Sequence, residues 1–428
     1  MISIQTKEKC CGCSACVQRC PKQCISLRED EEGFLYPKVS TEMCISCGLC
    51  EKVCPVHNQT GGREPLAVYA AKNPDLDVRK RSSSGGIFTL LAERTIEQGG
   101  VVFGACFDDK WSVVHQCAET KSELAKFRGS KYVQSRVGET FRQTEALLKQ
   151  GRKVLYSGTP CQIAGLRLYL RNDWDNLLTV DFICHGVPSP GVFRTYLRDE
   201  LKKAAQKGGK KNTVLPPCIP LVTENDGLGN REVEIKSINF RDKRNGWKKF
   251  GFALVLSKAF AAGEKNSVLL SYESLNKNSF LRGFLRDLYL RPSCYACPVR
   301  RLKSGSDVTI GDFWGIASLA PELDDDEGVS AVIINTENGK KVVQGLNMSL
   351  QTLPYSELAK RNPALINSAA LPKSRSKFFK ADGKTFEEKI KSLAKVRFSL
   401  RNLVLSIGCR LLPKKLKNGL KRILRKQH

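Results

Sequence analysis

Cys10-Cys11-Gly12-Cys13-Ser14-Ala15-Cys16-Val17-Gln18-Arg19-Cys20-Pro21 is the stretch whose spacing decides the first part of the fold, and it is used twice. Cys44, Cys47, Cys50 and Cys54, followed by Pro55, repeat it. This is the bacterial ferredoxin run: three closely spaced thiolates hold three corners of a 4Fe-4S cube, and the fourth cysteine ligates the other cluster. The expected ligand sets are therefore Cys10, Cys13, Cys16 with Cys54, and Cys44, Cys47, Cys50 with Cys20. Zinc sites usually pair two Cys-x-x-Cys units, which fits two four-cysteine runs poorly. A disulfide framework needs an oxidising compartment, whereas the stretch Met1–Lys7 has no apolar signal segment. Cys11 and Cys24 fall outside the ligand spacing and read as small buried residues beside a cluster.

The chain has 428 residues, enough for a small ferredoxin module and one large or two medium domains. Eighteen cysteines without an export signal point to a reducing cytoplasm and metal chemistry. No run approaches the ~18 apolar residues of a spanning helix. The formal charge is +27, but it is unevenly placed: Lys389–His428 holds thirteen Lys or Arg and no Asp or Glu.

Residues 1–58 read as an α+β ferredoxin-like two-cluster module, and Asn58–Pro65 as a polar linker. Strand and helix patterns then alternate. Strands are expected at 66–72, 101–106, 153–157 and 178–184, and helices at 86–98, 138–149 and 163–170. Such alternation argues an α/β core with a mostly parallel sheet. Residues 201–235 look like a surface excursion, 233–256 and 307–335 are strand-rich, and 279–290 reads as a helix. The expected division is 1–58, 66–200, 201–235, 236–350, and a helical basic tail at 373–428.

Arg81-Ser82-Ser83-Ser84-Gly85-Gly86 precedes a helix, where small residues and free amides admit a phosphate or flavin pyrophosphate. A helix start without ligand explains the same residues. Gly129-Ser130-Lys131-Tyr132 adds a cation and a ring, or is a surface turn. Ser157-Gly158-Thr159-Pro160-Cys161-Gln162 lies between a strand and a helix, where α/β sheets bind ligands. Cys161, Cys184, Cys294 and Cys297 are the inventory for a third 4Fe-4S cluster. Zinc and a metal-free Cys-x-x-Cys redox pair remain alternatives. His185 reads as a structural histidine.

The chain resembles the family of coenzyme F420 hydrogenase/dehydrogenase beta subunits over about residues 66–335. The resemblance is carried by Ser83–Gly86, Gly129–Tyr132, Ser157–Gln162, Cys184-His185-Gly186, Asn239–Lys243 with Gly246-Trp247, Arg291–Pro298, and Asp307–Gly315. It implies an FAD enzyme that passes electrons between iron-sulfur clusters and a hydride acceptor. Ser84, Gly85, Gly86, Lys131, Thr159 and Pro160 would line the flavin, with Asp312 near the cofactors. Cys161, Cys184, Cys294 and Cys297 would hold the adjacent cluster. The fused ferredoxin module, the excursion and the tail depart from the family and put the deazaflavin substrate in doubt.

Two classes stay open: an iron-sulfur flavoprotein oxidoreductase acting on a small molecule or cofactor, and a non-catalytic electron-transfer subunit. Both need an electron donor or acceptor protein. No residue stands out as a general acid, because Tyr132, His185 and Asp312 are equally explained by structure.

In the tail, Leu393, Val396, Leu400, Leu403, Val404, Ile407 and Leu411 recur at helical spacing among basic residues. A basic amphipathic helix suits an anionic membrane surface, so a cytoplasmic protein peripheral to the membrane is expected. Packing on the core is the alternative, and nucleic-acid binding fits least. Deleting residues 389–428 should abolish liposome binding; unchanged binding removes the basis for the membrane reading.

Overall fold

The computed structural model describes residues 1–206, 233–258, 267–381 and 383–394. In the N-terminal module each cysteine run leads into a helical turn, α1 (Ala15–Arg19) or α2 (Leu49–Lys52). An antiparallel hairpin, β1 (Ile25–Glu29) and β2 (Leu35–Val39), lies between them. Its private core is small: Ile2 and Ile25 with Cys20, Cys24 and Cys50. So little apolar surface holds a fold of this size poorly without metal or docking. Docking is visible, since Cys11, Cys13, Ala15 and Val53 share a core with Phe103, Phe141, Tyr156, Ile163 and Leu166 of the following domain.

That domain contains β3 (Ala67–Lys72), β4 (Val101–Phe107), β5 (Val113–Ala118), β6 (Val154–Gly158), β7 (Leu177–Phe182), β8 (Val233–Asp242), β9 (Gly251–Lys258), β10 (Ser267–Ser274), β11 (Val308–Asp312), β12 (Ser330–Ile334) and β13 (Ser349–Thr352). Its helices include α3 (Leu76–Arg81), α4 (Ile87–Glu97), α5 (Thr140–Lys149), α6 (Pro160–Leu170), α7 (Pro190–Gln206) and α8 (Ser279–Phe284). Eight strands form one sheet in the order β13-β3-β12-β11-β7-β6-β4-β5. Its centre, β11-β7-β6-β4, is parallel, as the strand-helix alternation predicts. Antiparallel pairs flank it on both sides, so the whole sheet is mixed. β8, β9 and β10 make a separate antiparallel sheet.

Three boundaries differ from the pattern reading. α6 starts at Pro160 rather than 163, because Thr159 and Gln162 form a capping box and Pro160 takes the first helical position. β7 ends at Phe182, before Cys184. The helix expected at 279–290 stops at Phe284; Asp287 has φ +56°, and buried Leu288, Tyr289 and Leu290 run on as non-helical chain. Apolar runs of that length do not distinguish helix from buried extended chain.

Most of the 201–235 excursion lies outside the described residues, as does the tail from 395 onward. The described part of the tail packs on the core: Phe378, Phe386 and Ile390, from short helices at Arg375–Lys380 and Phe386–Leu393, join Tyr196, Phe280 and Tyr289. Arg375 also pairs with Glu32 of the ferredoxin module, Nη1 lying 2.6 Å from Oε1. Among the described residues no helix is long and apolar enough to cross a membrane.

Topology sets where chemistry can occur. β4, β6, β7 and β11 run in parallel, and Asp312 at the end of β11 pairs with Ser330 at the start of β12. Ser330 in turn pairs with Ala71 near the end of β3. The segments after β3, β11, β7 and β6 therefore share one edge, the carboxyl edge where α/β sheets bind ligands.

Candidate redox centre at the carboxyl edge

Each cysteine set is assembled from different elements. In the inner set, the Cys16 thiol is pushed up to about 12 by burial and then by Cys10 and Cys54. Cys13 interacts with Cys16 and Cys54 in turn. Close approach to the core needs two glycines. Gly165 on α6 faces Cys13, whose Sγ would stand 2.8 Å from a Cβ there. Gly12, at φ +72°, lies where a Cβ would meet Gln134 and Arg291 at 2.7 and 2.8 Å.

The outer set surrounds a pocket lined by Cys20, Cys44, Cys47 and Cys50, with Cys24 as a fifth thiol. The Cys20 and Cys24 sulfurs lie 3.3 Å apart, and the Ile2 N–H donates to Cys50 Sγ at 3.2 Å. Cys47 is exposed, and so are Met1, Met43 and Ile45 beside it in sequence or across the pocket. Cys50 interacts electrostatically with Cys16 and Cys54, linking the outer set to the inner.

The third set comes together from three places: Cys161 on the first turn of α6, Cys184 just past β7, and Cys294 with Cys297 around the 3-10 turn Pro292–Ala296. Burial raises the Cys184 thiol well above its usual range; Arg300 opposes this, while Cys294, Cys161 and Cys297 add to it. Burial likewise pushes Cys294 up to about 12. The Val187 N–H donates to Cys294 Sγ at 3.4 Å, and Thr159 Oγ1 lies 3.2 Å from Cys161 Sγ. Four partly buried thiols within electrostatic reach of one another form an all-sulfur donor set that suits iron-sulfur chemistry. Among the described residues, no three His, Cys, Asp or Glu side chains gather closely enough for a single metal ion.

Two residues that spacing did not single out join these sets. Cys11, fully enclosed, contacts both Cys13 and Cys161 and so stands between the inner and third sets. Arg291 is buried in the same seam. Its Nε donates to the Cys10 carbonyl at 2.7 Å, Nη1 to Gln134 Oε1 at 2.9 Å, and Nη2 to the Leu35 carbonyl at 2.9 Å and Cys10 Sγ at 3.4 Å. Tyr36 lies against its guanidinium, 4.3 Å from the ring centre.

The loops expected to line a flavin lie along the same edge. Ser84 Oγ donates to the Val329 carbonyl at 2.8 Å, and Gly85 N–H to Ser330 Oγ at 2.9 Å. Gly86 starts α4 at φ +79° without any side-chain cap, so the helix start keeps free amides. Ser83 ties this loop to the next, accepting from the Ser130 N–H at 2.6 Å. Ser84 Oγ also reaches the Gly311 carbonyl of β11 at 3.4 Å, so Thr159 and Pro160, after β6, lie two strands farther along, roughly 10 Å at ~4.8 Å per strand.

Two expected cofactor contacts are committed elsewhere. Lys131 folds back on its own loop, donating to the Lys126 and Arg128 carbonyls at 2.9 and 3.1 Å, and burial lowers it to about 8. Asp312 gives one oxygen to Arg241 Nη1 and the other to Trp247 Nε1 at 3.0 Å. Asp312 therefore positions Arg241. The Arg241 side chain is almost wholly buried, packs against the Phe250 ring at 4.2 Å, and has Nε and Nη2 without hydrogen-bond partners among the described residues. Lys243 stands close by, donating to the Arg79, Ser84 and Glu327 carbonyls, and burial followed by Arg241 lowers it to about 8. An uncapped helix start with a buried, half-satisfied guanidinium suits the pyrophosphate of a dinucleotide such as FAD. Arg241 and Lys243 lie within a motif of the resemblance, but their roles depend on burial.

His185 and His115 are held by internal contacts. His185 Nε2 pairs with Asp287 at 2.5 Å, and its ring stands edge-on to Phe284. His115, held neutral by burial that lowers it to about 4, donates from Nε2 to the Ser157 carbonyl at 3.0 Å and accepts on Nδ1 from Ser135 at 3.1 Å.

Comparison with known proteins bears on this arrangement. Two family models described as "Coenzyme F420 hydrogenase/dehydrogenase, beta subunit" match the chain, the N-terminal one over residues 68–142 and the C-terminal one over 151–357. A 4Fe-4S dicluster domain matches residues 9–58. One of the subunits of the F(420)H(2) dehydrogenase of Methanosarcina mazei is 25% identical over 221 residues, covering 46% of this chain and 62% of that protein. An uncharacterized protein of Methanocaldococcus jannaschii is 26% identical over 201 residues, covering 40% and 55%. The chain thus spans 55% to 62% of the length of these two relatives. A 7Fe ferredoxin of Hydrogenibacillus schlegelii is 38% identical over 73 residues, covering 16% and 87%. A chain of the F420-reducing [NiFe] hydrogenase complex from Methanosarcina barkeri aligns at TM-score 0.41 and 18% identity, covering 70% of this chain and 90% of that one.

Proposed function

Because this chain belongs to the family of coenzyme F420 hydrogenase/dehydrogenase beta subunits, with a 4Fe-4S dicluster domain fused ahead of it, we propose that it is an iron-sulfur flavoprotein oxidoreductase, passing electrons from ferredoxin-type clusters through FAD to a small-molecule or cofactor acceptor. The observation that carries this reading is the order of the thiol sets in space. They run from exposed Cys47 through the inner set and Cys11 to Cys161 and Cys184, on the sheet edge that also holds Ser84–Gly86.

In this reading Cys20, Cys44, Cys47 and Cys50 hold the outer cluster; Cys10, Cys13, Cys16 and Cys54 the inner; and Cys161, Cys184, Cys294 and Cys297 a third. A bound flavin supplies the exchange between one-electron and hydride chemistry. The free amides at Gly86 and the open nitrogens of Arg241 would bind its phosphates, while Asp312 holds Arg241 in place. Exposed Cys47, with Met43 and Ile45 alongside, is where a partner redox protein would dock.

Acid-released flavin from protein purified without oxygen tests this directly. About one FAD per chain is expected. Arg241→Gln should keep the full iron content and lose flavin at least tenfold, since one charge-assisted phosphate contact contributes roughly 1.5–3 kcal/mol. No flavin in iron-replete wild type would sink the catalytic reading. What would then stand is the second reading, a non-catalytic electron-transfer subunit, which the internally committed Asp312 and Lys131 favour.

A further inference from the structure

On the opposite side of the central strands from the carboxyl edge lies a cavity of about 770 Å³, within the range of small-molecule sites. Its walls come from the segment leaving the ferredoxin module, from α6 and its exit, and from the loop before β11. Four cations reach it: Arg63, Arg167, Lys303 and Lys341. Arg63 reaches the Asn335 carbonyl at 3.5 Å and acts electrostatically on buried Asp181, while Lys303 and Lys341 make no ion pair among the described residues. Arg167 Nη2 pairs with Asp307 at 2.7 Å, but its Nε has no hydrogen-bond partner among the described residues.

The carboxylates do not balance this charge. Asp307 is spent on Arg167, Thr179 and Thr336, and Asp173 is fully exposed, 3.9 Å from Arg167. Asp175 is also exposed. Trp174 adds an enclosed indole N–H without an acceptor among the described residues. An excess of unpaired cations around an enclosed donor, in a space of this size, fits an acceptor-rich anion.

We propose that this cavity binds a phosphate-bearing small molecule, at a site separate from the flavin loops. Gln59 and Lys303 also line a smaller cavity of about 370 Å³ whose wall includes Cys297, Arg300 and Arg301. A ligand in the larger cavity therefore sits next to the route to the third thiol set. The proposal does not depend on FAD.

Calorimetric titration of the anaerobically purified full chain with pyrophosphate tests it. Saturable binding is expected, weakened at least tenfold in the double variant Lys303→Gln/Lys341→Gln, with iron and flavin contents unchanged. The double variant Lys121→Gln/Lys153→Gln, which removes two exposed lysines outside the cavity, should bind as wild type does. Absent binding, equal affinity in the cavity variant, equal weakening in the control pair, or weakening accompanied by flavin loss would each overturn the proposal.

Discussion

Cys161→Ser should lower the iron content of anaerobically purified protein by about four atoms per chain, from about twelve to about eight. The cause is local. Cys161 sits on the first turn of α6, among Cys184, Cys294 and Cys297, and hydroxyl oxygen is a poor substitute for thiolate on iron. The two ferredoxin sets draw no ligand from this helix and should keep their clusters. Cys11→Ser is the control, because Cys11 touches the Cys161 thiol without belonging to the set. It should retain all twelve irons, to within about one. Unchanged iron in the Cys161 variant would mean that the four thiols are packed without metal, and equal losses in both variants would point to general disruption of the seam.

Arg291→Gln should have the largest effect on both stability and potential. The guanidinium serves the Cys10 and Leu35 carbonyls, Gln134 and the Cys10 sulfur in a site closed to water. Removing one partner from a buried charged network costs about 3–5 kcal/mol, because the groups left behind cannot recover hydration. The loss should appear as early proteolysis between the ferredoxin module and the core, since these bonds join Cys10 and Leu35 to residues of the core. The same charge stabilises an added electron on a neighbouring cluster. Its removal should lower the midpoint potential of the inner set by an amount on the order of 60 mV, a factor of ten for a one-electron couple. Arg291→Lys keeps the charge and loses the fork, so it should restore most of the potential and less of the stability. A folded Arg291→Gln variant with wild-type potentials would reduce Arg291 to a structural strut.

The same distinction separates what was legible in the chain from what was not. Cys10, Cys13 and Cys16 are held close by a few covalently linked residues, so their spacing alone carries their geometry. The strands at 67–72, 101–107 and 154–158 were readable because a buried strand must be a short apolar run bounded by turns. The α6 start was present in Thr159-Pro160-Cys161-Gln162 as a cap, although apolar periodicity began later.

Other features have no local signature. Which neighbours flank the parallel centre depends on how the chain crosses over, and β12, β3 and β13 add antiparallel pairs that no single strand announces. Cys161, Cys184, Cys294 and Cys297 could be counted as candidates in the sequence, but sheet order gathers them. Arg241 and Arg291 read as ordinary basic residues among seventy until burial strips their water and leaves a few named groups to face the charge. By itself the sequence determined the ferredoxin-type module, the alternating core and the family. Only the tertiary structure decided which thiols meet, which cations lose their solvent and where the cationic cavity opens, because those properties arise from contacts between segments far apart in the chain.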